Sequence, residues 1–526
     1  MSNQTRGSQE APALTNGSAF DSASINYADT GGKAFFITGS ALAMAILYSN
    51  CFTGINVLPC LSSTIFIFAS MAVSAFALKR LDMLKDASGF KWFIPAAILA
   101  LMNGTLSYSL FNYANIAVSY VLVTFALTKA SGRKMLPFSA SFVRELCEFA
   151  VSGLTESIPF LKKASKHFSS SKTKSLGKIL VAVLASFPIL LFIGMLLMSA
   201  DSVFSYYIKR LFSEVSQGRL FPHIIAISIA FMLFCGYLRH LTLIKDRANP
   251  SIPIAKADTL MAGTFLTLLN LLFAAFCLIQ VAFLFTGGYR QLPEGIVYSE
   301  YARSGFFQLL FVTIINFGVL VIFMTIINGG QTGKWITRLL ILLSLFTAIL
   351  IASSFYRMSL YMDAYHFTSL RMLVITFLCM ESALIIITLS YLLLRQKGKG
   401  FDFIQLGGAT CLAFFIIANI TGSECLSDAL NIRAFYAQRD KTIFASSYEG
   451  RRPSDVIDIY NFSQDSAPML IKVLQDPAFE GSEYAELRAS IMDRLVIWED
   501  SLSRNSYWQN WRYMSKSSRK ALEKLS

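Results

Sequence analysis

Glu381 is the residue whose chemistry most needs explaining. It lies about ten residues into an apolar run at 370–394, so at 1.5 Å per residue its carboxyl sits about 15 Å inside any bilayer that run crosses. A carboxyl facing hydrocarbon is heavily penalised. Such a residue is expected to face other helices or water, where it either serves a proton or ion path or joins helices as a neutral acid. Asn270 and Asn316 stand at similar depth in neighbouring apolar runs, with Gln280 and Gln308 nearer the outer side. Together with Glu381, Asn270, Asn316 and Gln280 are expected to form an intramembrane polar site.

A second constellation lies beyond the apolar runs. If the helix through 335–355 continues outward, Arg357, Tyr361 and Tyr365 share one face at steps of four. Asp363 stands between Arg357 and Arg371 and can pair with either, and Thr368 is placed to cap the next helix. Loop 287–305, carrying Glu300 and Arg303, is expected to face this stretch. Arginine and tyrosine in a cleft suit an anionic or sugar-bearing ligand. The competing reading is a hydrogen-bonded clasp that closes an outer loop.

The elements that position these residues are apolar runs of membrane length. Crossing about 30 Å of hydrocarbon takes roughly 20 helical residues. Eleven stretches come close to that: 34–53, 57–78, 92–109, 111–128, 177–200, 221–243, 260–286, 306–328, 335–355, 370–394 and 401–421. Composition agrees, with 54% hydrophobic and only 15% charged residues, against roughly 25% charged in a soluble domain. The fold class is therefore all-α, a polytopic transmembrane bundle of about eleven spans followed by a small extracytoplasmic helical domain.

The net charge of +14 is distributed as a topology signal and not as a nucleic-acid surface. Lys79, Arg80, Lys85 and Lys91, then some ten positives in 129–178, then Arg239, Lys245, Arg247 and Lys256, then Lys334, Arg338, Arg395, Lys397 and Lys399 all fall on one side if every segment crosses. The positive-inside rule makes that side cytoplasmic. Asn112 and Asn115 interrupt the run 92–128. If that run crossed only once, everything upstream would invert. Trp92 and Trp335 fall at helix ends where indole rings anchor to the interface.

Outside the bundle, residues 1–32 are rich in small polar residues and read as a disordered cytoplasmic tail. The bundle itself occupies 33–422. In the cytoplasmic loop 129–178, Phe142, Leu146 and Phe149 recur at helical spacing beside Arg144, Glu145 and Glu148, as in an amphipathic helix. The favoured reading is the simpler one, a solvated loop that only sets topology. From 423 to 526 charges rise and long apolar runs end. Tyr484, Leu487, Ile491, Leu495, Trp498 and Leu502 step by three and four along one helical stripe. Ser463 can cap a helix that Pro477 stops, and further helices are expected over 424–438 and 516–525.

The block Tyr356-Arg-Met-Ser-Leu-Tyr-Met-Asp-Ala-Tyr-His-Phe-Thr-Ser-Leu-Arg371 resembles the Arg-Met-x-Leu-Tyr-x-x-Ala-Tyr-Gly-Leu-Thr-x-x-Arg signature of an uncharacterised bacterial membrane family, domain of unknown function 4173, closely allied to 4153. Tyr301-Ala-Arg-Ser-Gly-Phe306, Ser199-Ala-Asp-Ser-Val-Phe204, Asn431-Ile-Arg433 and Ser463-Gln-Asp-Ser-Ala-Pro468 are similar to its other segments, so the resemblance covers roughly 180–475. His366 and Phe367 replace its usual Gly-Leu, which puts the turn before the tenth span in question. The resemblance implies the fold and a bacterial cell envelope, and it implies no activity.

No nucleophile motif, P-loop or metal-ligand spacing occurs. The eight cysteines and four histidines are scattered, so no cofactor and no metal is expected. The expected partner is the lipid bilayer, with an envelope protein or glycan reached through 423–526 and no nucleic acid. Three functions compete. The first is a non-enzymatic envelope scaffold or sensor. The second is a secondary transporter coupled through Glu381, although no pair of Gly/Pro-broken spans marks a repeat-related site. The third is a lipid-linked glycan transferase using the outer Arg/Glu/Tyr cluster.

Overall fold

The computed structural model describes residues 30–53, 60–106, 111–133, 135–161, 220–243, 259–284, 298–326, 331–397, 400–437, 461–504 and 511–523, with single positions at 193, 197, 199 and 206. Among these the chain is all-α. The helices are α1 (Thr30–Phe52), α2 (Leu61–Arg80), α3 (Phe93–Thr105), α4 (Asn112–Ala130), α5 (Ala140–Thr155), α6 (Leu220–Leu243), α7 (Thr259–Leu284), α8 (Tyr298–Ile326), α9 (Gln331–Tyr365), α10 (Ser369–Gln396), α11 (Phe403–Thr421), α12 (Glu424–Ala437), α13 (Ala467–Gln475), α14 (Ala485–Arg504) and α15 (Tyr513–Leu522).

Eight of these helices are long and apolar enough to cross a membrane: α1, α2, α4, α6, α7, α9, α10 and α11. Their outward faces carry large apolar side chains, among them Leu260, Met261, Leu271, Leu272, Leu278 and Ile386, all more than 60% exposed. That surface suits hydrocarbon and not water. Of the other segments read from the sequence, α8 has its apolar part at Gln308–Met324, and 177–200 lies outside the described residues. The run 92–128 forms two helices. α3 is only 13 residues long, but a 3₁₀ segment at Ala87–Trp92 precedes it. The two together reach about 32 Å.

α3 and α4 pack as an antiparallel hairpin. Ser119 Oγ donates to the Ala96 carbonyl at 3.3 Å, and the amides of Lys85 and Asp86 both donate to the Ala130 carbonyl, at 2.9 and 3.0 Å. Gly89 is required by this register, because a Cβ there would stand 2.5 Å from the Ala126 carbonyl oxygen. Trp92, expected as an interfacial anchor, is half-buried at the start of α3 and packs edge-on against Phe125 with ring centroids 5.0 Å apart.

Two apolar cores divide the spans. One joins α1 to α6 around Ile67, Leu99, Leu127 and Phe231. The other joins α7 to α10 around Leu266, Leu320, Leu343 and Leu378. α11 touches both, lending Leu412, Phe415 and Ile416 to the first core and Phe403 to the second. A third core holds α12 to α15 together. There Leu487, Ile491, Leu495 and Trp498 of the apolar stripe meet Phe435, Phe462, Leu470 and Phe479.

Against the favoured reading of a solvated loop, 140–155 forms the helix α5, with the spacing of 142–149 that an amphipathic helix has. It buries Phe142, Glu145, Phe149 and Ser152 against its neighbours and exposes Val143 and Val151. Its tightest approach is to α6. A Cβ on Gly236 would lie 2.3 Å from the Ser152 carbonyl oxygen and 2.5 Å from Gly153 Cα. Both obstacles are backbone, so no rotamer relieves the clash. Gly236→Ala is expected to separate the two helices and destabilise the fold by about 1–3 kcal/mol, read as a lower midpoint in thermal unfolding of the detergent-solubilised protein. An unchanged midpoint would mean that α5 is not held there.

Candidate functional site

Glu381 lies on α10 about 18 Å from the helix start and is 7% exposed. Its partner is Thr313 of α8, whose hydroxyl oxygen is 3.0 Å from both carboxyl oxygens. The expected polar seam is therefore not assembled as read from the sequence. Asn316 lies one turn along α8 but donates to the Thr347 hydroxyl of α9 at 3.2 Å. Asn270 bonds backbone instead, donating to the Leu266 and Leu339 carbonyls at 2.8 and 3.1 Å, and so joins α7 to α9. The side chain of Gln280 lies outside the described residues. Thr313 carried one readable signal, since it precedes Asn316 by three residues and so shares its helix face.

Glu381 borders a cavity of about 240 Å³ lined also by Thr313, Phe317, Thr347 and Ile385. A second cavity of about 390 Å³ adjoins it towards the Thr368 end of α10, lined by Phe111, Leu373, Thr376 and Phe414. Phe377, Met380 and Cys411 line both. Apart from the threonines and Glu381 these walls are apolar.

Of the residues expected in an outer cleft, Arg357, Tyr361 and Arg371 are described, and they belong to a junction. α9 runs 35 residues to Tyr365, about 52 Å, so it continues beyond the hydrocarbon as expected. Arg357 is buried at 6% exposure. Arg371 stacks on the Tyr361 ring at 4.5 Å and donates to the His366 carbonyl at 2.5 Å. Thr368 caps α10, accepting from the Arg371 amide at 3.4 Å. His366 adopts φ 61°, the left-handed region. Glycine enters that region freely and histidine is among the few other residues enriched there. This accounts for the glycine in the resembled signature and for a turn that survives its replacement. The side chains of Asp363 and Tyr365 lie outside the described residues. So do those of Glu300 and Arg303, whose backbone belongs to the first turns of α8 and not to a loop.

Asn431 of α12 grips that turn. Its amide donates to the Phe367 carbonyl and its carbonyl accepts from the Phe367 amide, both at 2.9 Å. One helix turn earlier, Asp428 accepts from the Ser463 amide at 2.9 Å and from the Ser466 hydroxyl. Ser463 itself accepts from the Asp465 amide at 3.2 Å, capping the turn that leads into α13. Burial pushes the Asp428 carboxyl up to about 7, helped by nearby Glu424 and Asp465 and opposed by its serine bonds. A further tie joins the first core: the Leu61 amide donates to the Trp511 carbonyl at 3.2 Å.

Two other polar clusters hold the bundle. Asn115, placed by the sequence in a break, is buried in α4 and donates to Asn103 of α3 at 2.8 Å and to Asn419 of α11 at 2.6 Å. At the opposite end, buried Glu145 is paired with Arg133 and lies 3.5 Å from His240 Nε2. Ligand-type atoms of Glu145, Glu148 and His240 lie within 4.8 Å of one another. Arg133 holds Glu145 and Arg144 stands 3.7 Å from Glu148, so guanidinium groups already balance both carboxylates. This cluster reads as an ion network.

An all-α bundle with eight lipid-length apolar helices and a helical cap on one end is a multi-pass membrane protein. The family model of the domain of unknown function DUF4153 matches residues 42–473, and the chain belongs to that family. The match is to the allied family named above and begins well before residue 180, where the resemblance starts. No curated protein and no solved structure matches the chain.

Proposed function

We propose that the chain is a bacterial cytoplasmic-membrane protein that presents its last hundred residues outside the cell membrane, as a scaffold or sensor and not as an enzyme. The observation that carries this reading is the paired hydrogen bond between Asn431 and Phe367, which clips the helical module onto the turn between two spans. Topology supports it. Arg133, His240 and the Arg395 bond to the Met324 carbonyl mark one end of the bundle, and the module sits at the other. With the positive-rich end inside, the module is outside. α14 also turns an apolar edge to solvent, with Met492, Val496 and Ile497 each about half exposed or more. Such an edge suits a protein partner.

The transporter reading draws on the Glu381 cavity, but among the described residues its mostly apolar lining offers no polar path. The transferase reading is weakened because Arg357 is buried and Arg371 is engaged in the turn.

The test uses a photocrosslinker at Val496 in intact cells and a tag after Ser526. The tag is expected to be reachable from outside only, and the crosslinker to give a discrete adduct. Asn431→Ala removes both bonds to Phe367 and is expected to raise amide exchange at Phe367 and to lower adduct yield severalfold, with the spans still folded. A tag reachable only from the cytoplasm, or an adduct indifferent to Asn431→Ala, would rule the reading out.

A further inference from the structure

The two adjoining cavities among α8, α10 and α11 ask for an occupant. We propose that they bind a lipid-soluble alcohol, its chain in the larger, apolar cavity and its hydroxyl on the Glu381 carboxyl.

The argument begins with which polar groups are still free to recognise a ligand. Thr347 donates to the Leu343 carbonyl at 2.8 Å and accepts from Asn316. Thr376 donates to the Met372 carbonyl at 2.9 Å and shares a 2.7 Å bond with Thr421. Both have given their protons within the protein and keep one acceptor lone pair each. Thr313 has one hydroxyl proton and two claims on it, the Leu310 carbonyl at 2.8 Å and Glu381 at 3.0 Å. Both claims are met when Glu381 is the acid. Its O–H then donates to Thr313 Oγ1, and Thr313 donates to Leu310. The second carboxyl oxygen keeps its lone pairs for a donor, and that donor is what a bound molecule supplies.

The lining also sets the ligand's charge and source. Among the described residues no cationic side chain borders either cavity, which disfavours a phosphate or carboxylate. A bare ammonium this deep would find one carboxyl, three threonines already bonded to the protein and otherwise apolar walls, which makes it expensive to bury. A neutral hydroxyl on an apolar body satisfies the site at least desolvation cost. Entry is lateral. Cys411 lines both cavities and is exposed on α11, a helix whose apolar window is only 11% buried. The ligand therefore arrives from the lipid phase.

Cys411 supplies the readout. The full-length protein in detergent is treated with an uncharged maleimide, and mass spectrometry follows alkylation of the Cys411 peptide. Three additions are compared: an isoprenoid alcohol, a straight-chain fatty alcohol and the alkane of the same length. Either alcohol is expected to slow alkylation saturably, and which alcohol binds tighter identifies the chain. The alkane should bind about tenfold more weakly, the equivalent of one hydrogen bond. Glu381→Leu should bring the alcohol to the alkane's level, and Ala418→Trp, which fills the larger cavity, should remove protection by all three. Equal protection by alcohol and alkane, or undiminished protection in Glu381→Leu, would overturn the proposal. Should Glu381→Leu fail to fold, the alkane comparison and Ala418→Trp still decide it. None of these measurements involves the outer module, so this test stands or falls apart from the scaffold reading.

Discussion

Replacing Glu145 with leucine should destabilise the protein by about 3 kcal/mol, among the largest effects of any single change outside the apolar cores. Glu145 is 1% exposed and its side chain faces Arg133, itself only 9% exposed, and His240. Removing one member of a buried ion pair typically costs about 3–5 kcal/mol because the partner charge is left stranded. The lower end applies here, since Arg133 lies on a connection at the bundle's end and can swing towards water. Arg133→Leu alone should cost a similar amount, whereas the double replacement should cost much less than the sum of the two. Thermal midpoints of the four proteins measure this directly, and additive losses would show that the two residues do not depend on each other. The pair also predicts a pH dependence. Desolvation raises the Glu145 carboxyl, but the bond to His240 and the Arg133 charge outweigh it, so the carboxyl is held below the ordinary carboxylate range. A carboxyl depressed in the folded state contributes stability above its unfolded value, about 4.3, and that stability is lost as pH falls through the lower folded value. The wild type should therefore lose stability on acidification below about pH 4, and Glu145→Leu should lose less over the same range.

How much of this was legible beforehand depends on whether a feature is local. The spans were legible because membrane length and apolarity are properties of one run. α14 was legible because Leu487, Ile491, Leu495 and Trp498 recur at helical steps, and all four are buried. Thr368 and Ser463 were legible as caps, because capping involves residues two or three positions away. Partnerships between helices were not. Asn115 looks like a break in an apolar run until Asn103 and Asn419, the latter 304 residues away, are seen around it. Glu145 sits on what the periodicity makes a polar face, and only the approach of Arg133 and His240 turns that face inward. Glu381 was legible as a buried acid because its depth is a local property. Its partner was not, since which side chain of α8 meets it depends on the rotation of two helices, which no period encodes. Arg357 and Tyr361 were rightly placed on one helix, yet burial of Arg357 and the turn at His366 make that helix end a clasp for α12.

The junction itself should loosen as pH rises, and Asp428→Asn should abolish that response. Asp428 is 4% exposed, and burial lifts its carboxyl from 3.8 to about 7. A carboxyl raised in the folded state holds its proton more tightly there than in the unfolded chain. Its contribution to stability is therefore complete below about pH 3.8 and is lost as pH rises through about 7. At 1.36 kcal/mol per pKa unit the loss is of the order of 4 kcal/mol between pH 4 and 8. Glu424 and Asp465 sharpen it, because ionised Asp428 must then sit beside two further acids. Asparagine keeps a carbonyl oxygen for the Ser463 amide and the Ser466 hydroxyl but has no proton to lose. Amide exchange at Ser463 and Ser466 should therefore quicken with pH in the wild type beyond the intrinsic rate, and should follow the intrinsic rate alone in Asp428→Asn. At pH 8 the asparagine protein should be the more stable of the two. Asp428→Ala gives the control of opposite sign: it removes both bonds and should cost about 2 kcal/mol even at pH 5. If Asp428→Asn keeps the wild-type pH response, the titrating group lies elsewhere. If Asp428→Ala is neutral, the bonds to Ser463 and Ser466 do not hold the module. The loss accrues between about pH 4 and 7 and levels off above that, so acidification from neutral pH would clip the module more firmly to the turn between α9 and α10.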